Sequence, residues 1–117
     1  NVGGITYITE QLKQQSYRKL HFIIGMVNDK DIHGVLALLP KDAEYYFTKA
    51  SVKRALPENE LSRLASEAGL QGSCYPDVPS AVQAAQEKSL PEDFIFVGGS
   101  SFIVADLLAN RDTLDLH

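Results

Sequence analysis

The sequence predicts an α/β domain with a mostly parallel sheet and helices on both faces. Two observations carry that prediction. Short apolar runs rich in Ile, Phe, Val and Tyr alternate with longer segments of helical periodicity, in the order α-β-α-β-α-β-α-β-α. The run Phe22–Val27 then stops abruptly at Asn28, Asp29, Lys30 and Asp31, and a helical pattern follows at once. Strand, polar loop, helix is half of a βαβ unit, and its loop falls where open α/β sheets bind ligands.

Taken in order, residues 4–16 place Ile5, Ile8 and Leu12 at helical spacing, with Thr, Glu, Gln and Lys opposite, so an amphipathic helix covers one side of the sheet. Gly3 and Gly4 at its start allow close approach of backbone to a ligand. Because an α/β chain that opens on a helix looks cut within a βαβ unit, a strand is expected before residue 1. Phe22–Val27 is too short for a solitary buried helix and is expected to be a central buried strand. Ile32, Val35, Leu36 and Leu39 then repeat at i, i+3, i+4, i+7 for the next helix.

After the turn Pro40-Lys41-Asp42, Glu44–Thr48 is expected as a strand, followed by a loop carrying Lys49, Ser51, Lys53 and Arg54. Pro57 is expected at the first helical position, with Glu58 and Glu60 favoured by the N-terminal dipole. Leu61, Leu64, Ala65 and Ala68 form that helix's stripe, and Gly69 suits its C′ position. Gly72–Tyr75 is a short strand, and Cys74 within it is expected to be a small half-buried side chain. Asp77 and Pro79 open a helix with Val82 and Ala85 inward, running to about Ser89. Phe94–Val97 is the last strand, and Gly98-Gly99-Ser100-Ser101 connects it to a helix with Ile103, Val104, Leu107 and Leu108 toward the sheet.

The 117 residues fit one domain. At 44% hydrophobic and 22% charged the chain has an ordinary globular composition. Its net charge of −4, without a basic block, argues against generic binding to nucleic-acid backbone. One cysteine excludes an internal disulfide framework, and no apolar run approaches the ~20 residues of a membrane span. A cytoplasmic location is the expectation.

Three polar segments, Asn28–Asp31, Ser51–Arg54 and Gly98–Ser101, all fall at carboxyl ends of predicted strands. Mixed charge there, from Asp29, Lys30, Asp31 and Arg54, suits a zwitterionic or phosphorylated small ligand, with Arg54 offering a planar fork to a carboxylate or phosphate. In the last segment, two glycines free backbone N–H groups to face an anion, and Ser100 and Ser101 add donors or simply cap the helix. The sequence has no P-loop, dinucleotide fingerprint or nucleophile elbow. His21, His33 and His117 lie too far apart to suggest a metal site.

Asn-Val-Gly-Gly at the start, Gly-Met-Val-Asn-Asp-Lys-Asp after the central strand, and Val-Gly-Gly-Ser-Ser-Phe near the end occur in an order that resembles the C-terminal domain of folylpolyglutamate synthase/dihydrofolate synthase, within the Mur ligase superfamily. The resemblance spans nearly the whole chain. That family opens the domain with Asp-Gly-Ala-His-Asn-Pro; Asn1 matches its Asn, and Val2 replaces the Pro. Asp29, Lys30 and Asp31 match its Asp-Lys-Asp, and Lys53-Arg54-Ala55 partly matches a Pro-Arg-Ala segment. Gly98–Phe102 matches Thr-Gly-Ser-Leu-Tyr with the Thr, Leu and Tyr replaced and the Gly-Ser core kept.

The resemblance implies a three-layer Rossmann-like domain of the Mur ligase C-terminal type, one glutamate-ligase domain over residues 1–117 of a longer two-domain enzyme. It implies an ATP- and Mg²⁺-dependent ligase that phosphorylates the carboxylate of a reduced folate or dihydropteroate to an acyl phosphate, which the amine of L-glutamate then attacks. By the same carry-over Asn1, Asn28, Asp29, Lys30 and Asp31 lie toward ATP and the domain boundary. Arg54, Gly98, Gly99, Ser100 and Ser101 lie toward glutamate, and no residue of this chain is a catalytic base. The metal ligands and P-loop are expected in an N-terminal ATPase domain, and a monomer is favoured. Two other assignments stay open: a peptidoglycan Mur-type ligase domain, and a stand-alone α/β module that binds a nucleotide or amino acid without chemistry.

Overall fold

A computed structural model describes residues 2–28 and 31–116; the site expectations at Asn1, Asp29 and Lys30 lie outside the described residues, as does His117. Among the described residues nine elements alternate: α1 (Val2–Lys13), β1 (Leu20–Gly25), α2 (Ile32–Leu38), β2 (Glu44–Phe47), α3 (Glu58–Glu67), β3 (Gly72–Cys74), α4 (Val78–Lys88), β4 (Phe94–Gly99) and α5 (Ser101–Ala109). All the strand pairs are parallel, in the order β3-β2-β1-β4.

β1 is central, and every one of its residues is buried. That is why Leu20–Gly25 shows no alternation of apolar and polar residues: both of its faces are covered. On one face Phe22 and Ile24 pack with Tyr45 and Phe47 of β2 beneath α1, α2 and α3. On the other, Ile23 and Tyr46 pack beneath α4 and Ile103 of α5. The Phe22 ring lies 5.3 Å from Tyr45 and 5.1 Å from Phe96, so a truncation there, at an enclosed aromatic, costs roughly 3–5 kcal/mol.

Local chemistry fixes the helix ends. Asp77 accepts from the Ser80 amide at 2.9 Å and caps α4. Gly69 takes φ +86 just past α3, the left-handed conformation expected of a C′ glycine. Pro57 precedes α3 as its N-cap instead of being its first helical residue, because its ψ of 141 is extended. β3 is a three-residue edge strand exposed throughout, so Cys74 is exposed, not half-buried.

Two further expectations change. α5 turns Ile103 fully inward and Leu107 partly, whereas Val104 and Leu108 are 39% and 53% exposed. The helix is apolar nearly all round, so its periodicity does not single out the face that meets the sheet. Gly98 and Gly99 belong to β4, not to a loop: they pair with Ile24 and Gly25 of β1.

Candidate functional site

β1 leads through α2 to β2 and then through α3 to β3, moving one way across the sheet on one face. The chain then crosses on the other face through α4 to β4, on the far side of β1. Segments leaving the carboxyl ends of β1 and β4 therefore diverge, one toward α2 and one toward α5. A crevice opens at such a switch in an open α/β sheet, and ligands bind there.

The backbone ties the crevice together. The Asn28 N–H donates to Arg54 O at 2.9 Å, the Leu56 N–H donates to Met26 O at 2.8 Å, and Val27 bridges Ala55 in antiparallel fashion. The segment after β1 is thus laced to the segment after β2. The Thr48 N–H donates to Ile24 O and the Ser100 N–H to Gly25 O, each at 2.9 Å, on the two sides of the end of β1. Of the residues expected in the site, Asn28, Asp31, Arg54 and Gly98–Ser101 all come to this carboxyl edge.

Gly25 and Gly99 make this edge compact. A Cβ on Gly25 would sit 2.3 Å from Ile103 Cδ1 and 2.9 Å from Thr48 O, so its absence lets α5 descend onto the end of β1. Gly99 has φ +108, and a Cβ there would stand 2.1 Å from Gly25 O. The two glycines at 98 and 99 therefore complete the β1–β4 pairing, and the Ser100 amide is spent on Gly25. This corrects the expectation that this stretch of backbone is a free anion cradle.

The hydroxyl of Ser100 is different. Ser100 occupies the N-cap of α5 without a side-chain capping bond, and its Oγ is buried with no hydrogen-bond partner among the described residues. The Thr48 Oγ1, on β2's side of the edge, is in the same condition. Unspent buried hydroxyls are uncommon and costly, and each calls for an explanation, a bound water or ligand among them. Arg54 and Asp31 are exposed; the Asp31 carbonyl accepts from the Val35 N–H at the start of α2.

A second polar cluster lies at the opposite, amino end of the strands. Arg18 donates through Nε and Nη2 to the two oxygens of Asp93, both at 2.8 Å. His21, buried at the start of β1, pairs through Nε2 with Asp93 at 2.8 Å and through Nδ1 with the Tyr46 hydroxyl at 2.7 Å. The Arg18 bonds, with His21 adding to them, hold the Asp93 carboxyl far below the ordinary carboxylate range. Burial raises the Tyr46 hydroxyl well above its ordinary value, so it stays protonated. Burial also pushes Glu44 up, yet Lys19 and Lys88 bring it net below its usual value. The cluster satisfies a histidine that the central strand buries.

A cleft of about 520 Å³ also opens at the amino end, lined by Lys19, Lys41, Asp42 and Glu44. It is remote from the switch point. Among the described residues, no three His, Cys, Asp or Glu side chains converge as a metal site, and no helix is long and apolar enough to cross a membrane.

Sequence reasoning missed Asp106. Its carboxylate receives both the Ser51 amide (2.8 Å) and the Ser51 hydroxyl (2.9 Å). The available signal was an acid within the otherwise apolar run Phe102–Leu108.

Comparison with known proteins bears on the family and the fold. The model of the family described as "Mur ligase, glutamate ligase domain" matches residues 1–101. A curated relative, the dihydrofolate synthase/folylpolyglutamate synthase of Buchnera aphidicola, is 25% identical over 115 residues, 96% of this chain and 27% of the relative. The chain thus spans about a quarter of that protein's length. An E. coli FolC solved in complex with DHPP and ADP superposes with a TM-score of 0.86 at 27% identity, covering 97% of this chain and 27% of that one. A bifunctional folylpolyglutamate synthase/dihydrofolate synthase from Yersinia pestis, complexed with AMPPNP and Mn ion, gives 0.82 at 26% identity, covering 96% and 27%.

Proposed function

We propose, given that this chain belongs to the Mur ligase family as its glutamate ligase domain, that it forms one wall of an ATP-dependent folate ligase. The enzyme adds L-glutamate to a reduced folate or to dihydropteroate through an acyl phosphate. Similarity to a folate ligase of Buchnera aphidicola and to FolC in complex with DHPP and ADP supports the folate branch over the peptidoglycan branch. Residues 1–117 are proposed to be a single domain of a longer, cytoplasmic, monomeric enzyme. Its preceding ATPase domain supplies the P-loop and the Mg²⁺ ligands. The described residues do not fit a metal centre of their own, and no step here passes through one.

The observation that carries the proposal is the joined carboxyl edge: the Arg54 segment, the Ser100 turn and the Asn28 segment fastened around the end of β1. Arg54 takes a carboxylate of L-glutamate in its planar fork. The Ser100 hydroxyl, unspent in the fold, donates to the same ligand, while Gly98, Gly99 and Ser101 shape that wall. Asn28 and Asp31 face the nucleotide and the preceding domain, and the same role is proposed for Asn1, Asp29 and Lys30, which lie outside the described residues. This wall is assigned a positioning role, with no base drawn from the described residues. It holds the amine donor in line with the activated carboxylate, and such positioning supplies much of the acceleration in a two-substrate reaction.

Titration of ¹⁵N-labelled chain with L-glutamate tests the assignment. Saturable amide shifts are expected at Arg54 and Ser100, weaker with D-glutamate. Shifts confined to the Lys19–Glu44 cleft, or none, would refute it.

A further inference from the structure

We infer that Asp106 is a positioning residue: it locks the β2–α3 segment to α5 so that Arg54 and the Ser100 turn address one ligand. The inference rests on the glutamate assignment above and adds a residue outside every motif of the sequence. Both oxygens of the Asp106 carboxylate are engaged by a single partner 55 residues away, the Ser51 amide at 2.8 Å and hydroxyl at 2.9 Å. A carboxylate held at two points by one residue fixes orientation as well as distance.

Consequences run outward on both sides. Ser51 begins the turn in which the Ala55 N–H donates to Val52 O at 3.1 Å, and that turn presents Arg54. Arg54 O in turn accepts from the Asn28 N–H at 2.9 Å, so the segment after β1 is registered by the same turn. On its own helix, Asp106 lies five residues beyond Ser101, where α5 begins. Ile103 in between is fully buried against the end of β1, so the helix has no freedom to slide. One side chain thus links the start of α5, the Arg54 turn and the Asn28 segment. Next to it, Ala50 is buried and Val52 partly so, but apolar packing alone does not choose a register for a charged loop.

The test compares the parent chain with Asp106→Ala, Asp106→Asn and Ser51→Ala, all ¹⁵N-labelled. Measurements are Ser51 amide exchange, amide shifts, thermal midpoint and L-glutamate titration. Asp106→Ala should speed exchange at Ser51 by about 10-fold or more, the scale of one charge-assisted hydrogen bond. It should shift the amides of Arg54, Ala55 and Asn28 and weaken L-glutamate binding about 10-fold. Asp106→Asn, which keeps one acceptor oxygen, and Ser51→Ala, which keeps the amide bond, should fall between Asp106→Ala and the parent. The thermal midpoint should stay within about 5 °C of the parent, because the clamp is at the surface. Unchanged Ser51 exchange, or shifts confined to residues 50–52, would overturn the inference. A parent that binds L-glutamate and an Asp106→Ala variant that binds it equally well would overturn the positioning role alone. A parent that binds none would overturn the ligand assignment on which the role rests.

Discussion

Replacing Gly99 with Ala tests whether the end of β4 is as tightly joined to β1 as its backbone indicates. The added Cβ would stand 2.1 Å from Gly25 O, whereas a carbon–oxygen contact settles at about 3.3 Å, so the two strands must part by about 1 Å. Side chains rarely adopt φ +108, and holding one there costs roughly 1–3 kcal/mol. Parting the strands also loosens the Ser100 N–H to Gly25 O bond and the final rung of the ladder, each worth roughly 0.5–1.5 kcal/mol. The sum is about 2–6 kcal/mol, or roughly 8–25 °C in thermal midpoint for a domain of this size. Gly98→Ala is the internal control. Its Cβ meets Phe96 ring atoms, the nearest at 2.6 Å, and a half-buried ring can turn aside where a backbone carbonyl cannot. Calorimetric melts of both variants decide the matter, with Gly98→Ala losing less than half as much. A Gly99→Ala midpoint within about 3 °C of the parent, or a larger loss for Gly98→Ala, would refute the reasoning.

Two further outcomes are expected. The Asp93 carboxyl is depressed in the folded chain, so its stabilisation is present above its unfolded value of about 3.9 and is lost as pH falls through its folded value. Urea midpoints of the parent should therefore drop on acidification below about pH 4, and Asp93→Asn should be weaker at pH 7 with a shallower acid decline; an equally steep decline in the variant would contradict this. Ser100→Ala removes a buried hydroxyl that has no partner among the described residues, so it should leave stability unchanged within about 1 kcal/mol while weakening L-glutamate binding several-fold. Loss of stability with intact binding would assign that hydroxyl to the fold instead.

Much of the architecture was legible because its determinants are local. The continuous apolar run of β1, the i, i+3, i+4 spacing of Ile32, Val35 and Leu36, the Asp77 cap and the Gly69 terminator each act within a few residues. Glycine pairs are ambiguous by nature, since the absence of a side chain serves a loop and a close strand pair equally; Gly98 and Gly99 proved to be the latter. The orientation of α5 was illegible for a different reason, an apolar surface on nearly every side. Contacts between distant residues left little local trace beyond the single acid, Asp106, in the apolar run of α5. The Ser51–Asp106 clamp and the His21–Asp93 pair, 72 residues apart, exist only once the sheet has assembled. The candidate site was legible as three polar segments at strand ends. That they are bonded to one another, Asn28 to Arg54 and Ser100 to Gly25, was not.

The central claim is that this chain is the glutamate-holding wall of a folate ligase. The most direct test is ADP release by the gene product that contains residues 1–117, supplied with ATP, Mg²⁺, a reduced folate and L-glutamate. Release is expected to require both folate and L-glutamate, to fall severalfold on Ser100→Ala through the KM for glutamate, and to be absent from the 117-residue chain alone. Release supported by a peptidoglycan precursor in place of folate, or turnover by the isolated chain, would contradict it.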